Sequence, residues 1–246
     1  MSSLFSKKDR FLPIDFSVLE VDLHAHLLPN IDDGVQDIRE SIEIVTQFAN
    51  AGFRKLIQTP HVASDFFKND AKTILSKLNI LRESVKQHNI TITIEAAAEY
   101  YFDYNFKILV DEKSPLLTFG NSYVLIELSP AYMPEKFTEV LFTLQTNGYK
   151  PVLAHPERYG YLADNFGVYE KILDKGILLQ LSINSLVDVY GRAVNKTAQE
   201  LIKNNFYSFA GSDCHDMYDF IKMKEVISNK WYQKLIDSGT LLNSTL

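Results

Sequence analysis

Of 246 residues, only one is cysteine. A lone thiol rules out an intrachain disulfide, leaves no Cys-rich structural zinc site, and fits a reducing compartment. Long apolar runs are also missing: none approaches the roughly 18 residues a membrane helix needs, so membrane insertion is not expected. Basic runs are missing too. The formal net charge is −6, and a nucleic-acid groove would lack its electrostatic footprint. Lys7, Lys8 and Arg10 are followed by no apolar stretch, which argues against a secretory signal and for a cytoplasmic location. No linker, repeat or low-complexity segment divides the chain.

What is present suits a packed α/β protein. Hydrophobic residues make up 46% and charged residues 23%, enough for a sizeable core and too ordinary for bulk disorder. Short apolar runs at 19–23, 55–58, 90–97, 122–128, 150–154, 177–182 and 206–210 read as strands. Between them lie amphipathic stretches. Asp37 with Glu40 makes a capping-box-like start, and Ile38, Ile42, Val45 and Ala49 follow at helical spacing before Gly52. Further helices are expected from about Asp70 and over 135–147, 166–175 and 195–205. Strands alternating with helices imply parallel pairing and right-handed crossovers. About seven such units point to a closed or nearly closed barrel, with a flat doubly wound sheet as the alternative.

Five of the six histidines sit where a predicted strand stops. They occur in Asp22-Leu23-His24-Ala25-His26, Thr59-Pro60-His61, Leu153-Ala154-His155 and Ser212-Asp213-Cys214-His215. In extended backbone, residues i and i+2 point to one side, so His24 and His26 can grip one ion, and Asp213 and His215 repeat that spacing. In parallel α/β barrels, functional side chains project from strand ends. Collecting those ends gives His24, His26, Asp33, His61, Glu99, Glu127, His155, Asp213 and His215. All nine are nitrogen or oxygen donors, a set suited to Mn²⁺, Fe or Zn²⁺. The competing reading is a group of polar residues bonded inside an ordinary core. It suffers from the cost of burying so many carboxylates and imidazoles without partners. His88 follows Lys86-Gln87 at a helix end and reads as exposed.

These motifs resemble the PHP (polymerase and histidinol phosphatase) superfamily. The resemblance rests on His24-Ala25-His26, Leu28-Pro29-Asn30-Ile31-Asp32-Asp33-Gly34, Thr59-Pro60-His61, Ala97-Ala98-Glu99-Tyr100-Tyr101, Leu125-Ile126-Glu127, Ala154-His155-Pro156-Glu157-Arg158-Tyr159 and Gly211-Ser212-Asp213-Cys214-His215. Within the superfamily they are most similar to bacterial PHP-type manganese-dependent protein-tyrosine phosphatases of capsule and exopolysaccharide loci. The resemblance implies a single-domain α/β fold, a distorted (β/α)₇ TIM-like barrel over 19–246, preceded by an extension over 1–18. It also implies three divalent metal ions, manganese foremost, with Fe or Zn as alternatives. His24, His26, Glu99 and Asp213 would hold the first ion. Glu99 would bridge to a second, completed by Glu127 and His155. Asp33, His61 and His215 would hold the third. Arg158 matches an arginine that contacts substrate phosphate, and Arg158 and Asp213 are the residues assigned to catalysis.

The implied activity is phosphomonoester hydrolysis by attack of a metal-bridging hydroxide. Four carboxylates against three divalent ions leave about +2, which draws in a phosphate dianion. The implied substrate is a phosphotyrosine protein, foremost a bacterial tyrosine kinase of polysaccharide export. A small-molecule phosphatase acting on histidinol phosphate or a nucleotide is the alternative within the class. A metal-binding regulatory module with little turnover is the alternative outside it. Oligomeric state is left open, a homo-oligomer included.

Two local features bear on this reading. Cys214 does not support a cysteine-phosphatase mechanism, because the arginine needed six residues later is Phe220. The loop after His215 departs from the family pattern. Where a second phosphate-binding arginine is usual, the chain has Asp216-Met217-Tyr218-Asp219-Phe220-Ile221-Lys222-Met223-Lys224. Lys222 or Lys224 could stand in, but lysine lacks the planar fork. Arg158 could instead pair with Glu157, and Tyr100, Tyr101 and Tyr159 could line a pocket for an aromatic ring.

Overall fold

The computed structural model describes residues 15–163 and 165–246; residues 1–14 of the expected extension lie outside the described residues. In chain order the first half holds β1 (Val21–Ala25), α1 (Ile38–Asn50), β2 (Lys55–Gln58), β3 (His61–Val62), α2 (Ala71–Gln87), β4 (Thr93–Ala96) and β5 (Glu99–Tyr101). The middle holds α3 (Tyr104–Asp111), β6 (Tyr123–Glu127), α4 (Phe137–Thr146), β7 (Lys150–Ala154), α5 (Gly160–Ala163) and α6 (Gly167–Asp174). The last part holds β8 (Leu178–Ser182), α7 (Gly191–Lys203), β9 (Phe209–Gly211), α8 (Met217–Met223) and α9 (Lys230–Asp237).

Every strand pairing is parallel. The strands form a three-stranded sheet, β1-β2-β4, and a six-stranded sheet, β3-β5-β6-β7-β8-β9. The second expected strand, 55–58, is β2, and the third, 90–97, shortens to β4; after a break, each is followed by a short strand the sequence reading did not include, β3 and β5. Pro60 sits in the first break and has no amide to give to a ladder. The backbones stay in register across both breaks. Thr59 N donates to Ala25 O at 2.9 Å, Ala97 N to Gln58 O at 2.8 Å and Glu99 N to Pro60 O at 3.1 Å. At the other edge Ala25 and Cys214 form a parallel bridge. There Asp213 N donates to His24 O at 2.7 Å and His26 N to Cys214 O at 2.9 Å.

Alternation along the strands builds two apolar layers. Val21, Leu23, Ile57, Leu125, Val152, Ala154 and Phe209 form an inner cluster. Val124, Ile126, Leu153, Leu179 and Leu181 face the helices in a larger one. The α1 helix shows how the helices attach. Asp37 accepts the Arg39 amide at its start, and Ile42, Ile44, Val45 and Phe48 are buried on one face. Each such side chain contributes about 1.5–3 kcal/mol. Gly52 follows the helix at φ +100°, and an added Cβ would lie 2.9 Å from Ser17 Cβ. Gly52→Ala would therefore strain both the turn and the contact.

Two sequence expectations shift. The first strand runs two residues later than 19–23. Asp15 caps a 3₁₀ turn over Phe16–Val18, and Glu20 takes φ 60°, so extended backbone begins only at Val21. Phe16, within the expected extension, is buried; its ring stacks on Phe53 at 5.4 Å. The α3, α5, α8 and α9 helices are additions to the sequence reading. No helix among the described residues is long and apolar enough to cross a membrane.

Candidate metal centre

All nine expected donors converge at one end of the strands. His24 lies within β1 and His26 just beyond it; both are fully buried. Their Nε2 atoms stand 3.1 Å apart. Both face Glu99 Oε2, at 3.1 and 3.5 Å, and Asp213 Oδ1, at 3.1 and 3.5 Å. His155 Nε2 approaches Glu99 Oε1 at 3.2 Å and Glu127 Oε1 at 3.9 Å. His61 Nδ1 lies 3.1 Å from Glu99 Oε2 and 3.7 Å from Glu127 Oε2. Asp33 Oδ1 sits between His61 Nε2 at 3.4 Å and His215 Nε2 at 3.6 Å. Glu99 is thus the hub.

Four overlapping groups of donor atoms could each hold an ion: His26 with Asp33, His61 and His215; His24 with His26 and Asp213; His24 with Glu99 and His155; and His61 with Glu99 and Glu127. His61 and Glu99 differ in position from the sequence reading. They open β3 and β5, after the strand breaks, rather than ending β2 and β4. His155 and Asp213 take left-handed backbone, φ 31° and 54°. Such conformations are costly outside glycine, and they turn the chain sharply where these side chains enter the cup.

Outer partners orient the imidazoles. His26 Nδ1 meets Asp32 Oδ2 at 2.8 Å. That carboxylate also accepts the amides of His61 at 3.1 Å and Gly34 at 3.0 Å. His24 Nδ1 meets Gln180 Oε1 at 3.0 Å, and His215 Nδ1 meets Asp213 O at 3.0 Å. Fixing one ring nitrogen aims the other inward. Gly34 is required for this packing: a Cβ there would lie 2.0 Å from His26 O.

Sequence reasoning passed over Asp32 and Gln180. Asp32 adjoins Asp33, and a linear sequence does not say which of two neighbouring carboxylates turns inward. A polar Gln180 inside the apolar β8 run was the one available signal for the other.

The electrostatics are those of a crowded, buried cluster. Burial disfavours charge on His24, but Glu99 and Asp213 outweigh it and lift its pKa to about 10. Burial also works against a charged His26, and Asp32 with its other partners lifts it well above the ordinary value. Burial, then repulsion from Glu99 and Asp213, pushes Glu127 up to about 9. Burial and then Arg158 drive His155 down to about 4. Burial opposes ionisation of Asp213, yet Arg158 and His24 hold it well below the carboxylate range.

Arg158 projects to the rim. Its Nη2 donates to Ser182 Oγ at 2.7 Å and pairs with Asp213 Oδ2. Its guanidinium carbon lies 3.8 Å from the centre of the Tyr190 ring. Glu157 is not its partner. That buried carboxylate accepts from Ser182 N at 3.0 Å, Ser185 Oγ at 2.8 Å and Tyr207 Oη at 2.9 Å.

Other candidates fall into place around the cup. The Tyr159 hydroxyl accepts the Leu128 amide at 2.9 Å and donates to Ala154 O at 3.0 Å, so it pins strands rather than lining a pocket. Tyr100 Oη accepts the Leu117 amide at 2.8 Å and is also buried. Cys214 is buried, donates to Asp216 O at 3.2 Å, and has its thiol pushed well up by burial. His88 is exposed at the end of α2. After His215 the acidic residues serve the backbone: Asp216 accepts the Asp219 amide at 2.9 Å, and Asp219 accepts the His215 amide at 2.9 Å. Lys222 pairs with Glu225 at 2.7 Å.

Residues 20–234 match the family model for capsular polysaccharide synthesis, CpsB/CapC. The chain is 27% identical over 197 residues to tyrosine-protein phosphatase YwqE of Bacillus subtilis, spanning 80% of this chain and 78% of that one. It is 24% identical over 202 residues to tyrosine-protein phosphatase CpsB of Streptococcus pneumoniae, spanning 80% and 83%. Its fold superposes with a TM-score of 0.76 on a solved chain from the work on those two enzymes, described as metal-dependent tyrosine phosphatases. That match has 25% identity and covers 89% of this chain and 87% of that one. With its family model spanning nearly the whole length, the chain belongs to the CpsB/CapC family.

Proposed function

We propose that this chain is a metal-dependent protein-tyrosine phosphatase whose nine-residue cup holds three divalent ions, manganese foremost. The observation that carries the reading is the convergence of five imidazoles and four carboxylates in one cup, with Glu99 at its centre and Arg158 at the rim. Family membership and the tyrosine-phosphatase relatives support the substrate class. The donor set fits such ions. The Nδ1 atoms of His24 and His26 are engaged outside the cup, so both Nε2 atoms are presented inward beside two carboxylates, where a cation relieves their crowding.

The ligand assignment we favour is that of the resemblance: His24, His26, Glu99 and Asp213; then Glu99, Glu127 and His155; then Asp33, His61 and His215. Ions bound there supply Lewis acidity and an acidified water. The chain's own part is positional. Arg158, held by Ser182, Asp213 and the Tyr190 ring, offers its free edge to the phosphate oxygens and offsets charge as it builds. A tyrosine phenolate, with a pKa near 10, is a fair leaving group and needs little protonation. We further read the two sheets as one distorted (β/α)₇ barrel over 19–246, supported by the hydrogen bonds at both edges. The partner we favour is a bacterial tyrosine kinase of polysaccharide export, met in the cytoplasm.

The test is direct. With Mn²⁺ the purified chain should release phosphate from phosphotyrosine peptides far faster than from histidinol phosphate or a nucleotide. Chelation or His155→Ala should abolish it. Activity that survives complete metal removal overturns the reading.

A further inference from the structure

Beside the cup, a groove of about 660 Å³ runs over the ends of β3, β5 and β6. Its walls include Phe66, Tyr101, Tyr104, Tyr132, Met133 and Lys136. Among the described residues five aromatic side chains are largely exposed: Phe66, Tyr104, Tyr132, Phe142 and Tyr218. Three of the five meet in this groove, with Phe66 78%, Tyr104 77% and Tyr132 65% exposed. A cluster of that kind on one surface marks a contact site, since aromatic rings lose little entropy and gain much area when covered.

The groove is continuous with the cup. Tyr101 is the register partner of Glu127, and Phe102 N donates to Glu127 O at 2.8 Å. Phe67, next to Phe66, stacks on His61 at 5.4 Å. An extended polypeptide advances about 3.3 Å per residue, so a chain anchored in the cup reaches the groove within a few residues.

Charge adds little direction. Asp103 is engaged by the amides of Ser64 and Phe106, both at 2.8 Å, and Lys107 pairs with Asp111. Asp65, Glu135 and Lys136 remain on the walls, of mixed sign. The recognition is therefore apolar, and a small phosphoester filling the cup alone would leave the groove uncovered.

We propose that this groove binds the substrate polypeptide beside the phosphotyrosine, seating aromatic or apolar side chains two to four residues away against Phe66, Tyr104 and Tyr132. The inference rests on the phosphatase reading above. It makes these three residues determinants of peptide specificity, outside the reacting atoms.

The experiment compares three substrates with Mn²⁺-loaded protein: p-nitrophenyl phosphate, a phosphotyrosine peptide with aromatic residues at those flanking positions, and the same peptide with serine there. Wild type should prefer the aromatic peptide over the serine peptide by about tenfold in kcat/KM, with the difference in KM. Phe66→Ala combined with Tyr132→Ala should erase that preference, while Phe142→Ala, an exposed aromatic away from the groove, should keep it. Equal rates on the two peptides in wild type, or a preference that survives the double variant or is lost equally with Phe142→Ala, overturn the groove assignment while hydrolysis of p-nitrophenyl phosphate leaves the phosphatase reading standing. No hydrolysis of any of the three removes the phosphatase reading and this inference together.

Discussion

Arg158 and His24 hold opposite edges of one carboxylate: Asp213 gives Oδ2 to the guanidinium and Oδ1 to the imidazole at 3.1 Å. The rim cation is thereby coupled to the innermost histidines. Arg158→Lys keeps the charge but loses the planar fork and the stack on Tyr190. We expect kcat/KM for a phosphotyrosine peptide to fall about 100-fold, with bound metal, measured by elemental analysis, little changed. Wild-type rates in the lysine variant contradict a role for Arg158 at the phosphate.

The outer partners should show themselves in metal affinity. Gln180→Leu frees His24 Nδ1, and Asp32→Asn weakens the hold on His26 and on the His61 amide. Each should lower Mn²⁺ affinity about 10–100-fold by calorimetric titration. Affinities matching wild type would mean that the rings are held by packing alone.

Stability should respond to pH with opposite slopes in the metal-free and metal-loaded states. Without metal, burial is outweighed by Glu99 and Asp213, and His24 rises from 6.5 to about 10. A pKa raised by folding gives stability that is full below pH 6.5 and lost as pH climbs through 10. Asp22, raised by burial from 3.8 to about 7, works in the same direction at lower pH: its contribution is full below 3.8 and lost as pH rises through 7. Metal binding instead requires neutral imidazoles and strengthens as pH rises. The gain in Tm on adding Mn²⁺ should therefore widen between pH 6 and pH 8, read by differential scanning calorimetry. A gain that narrows over that interval counts against metal ligation by His24.

Glu157 serves the scaffold beneath Arg158. Glu157→Ala leaves the Ser182 amide and two buried hydroxyls without their acceptor, at a cost of about 3 kcal/mol. Urea unfolding measures this, and a cost under about 0.5 kcal/mol is incompatible with the network described.

Cys214 should be inert. Its thiol is buried and pushed up by that burial, so iodoacetamide should leave activity intact in the folded protein, and Cys214→Ser should remain active. Rapid inactivation by the alkylating agent, absent in Cys214→Ser, would restore a catalytic thiol.

Much of the site was legible because strand ends are marked twice, by the close of an apolar run and by a donor residue. His24, Glu127, His155 and Asp213 all follow that rule. The strand breaks were not legible, since the pairing of β3 and β5 with a separate sheet depends on neighbours distant in sequence. The same limit hid Gln180, which meets His24 across 156 residues. Arg158 was found from its motif, but its partner was not, because Asp213 reaches it only through the fold.

The donors also differ in depth. His24, His26 and Glu99 are sealed from solvent, and Asp213 and His155 nearly so, whereas the side chains of Asp33, His215 and Glu127 are 56%, 26% and 24% exposed. Depth sets a timetable. On the three-ion reading proposed above, ions at the outer donors would exchange quickly, while those at the inner donors would wait for the outer ones to leave. Metal release to a chelator should accordingly run in two phases, and loss of activity should track the first of them.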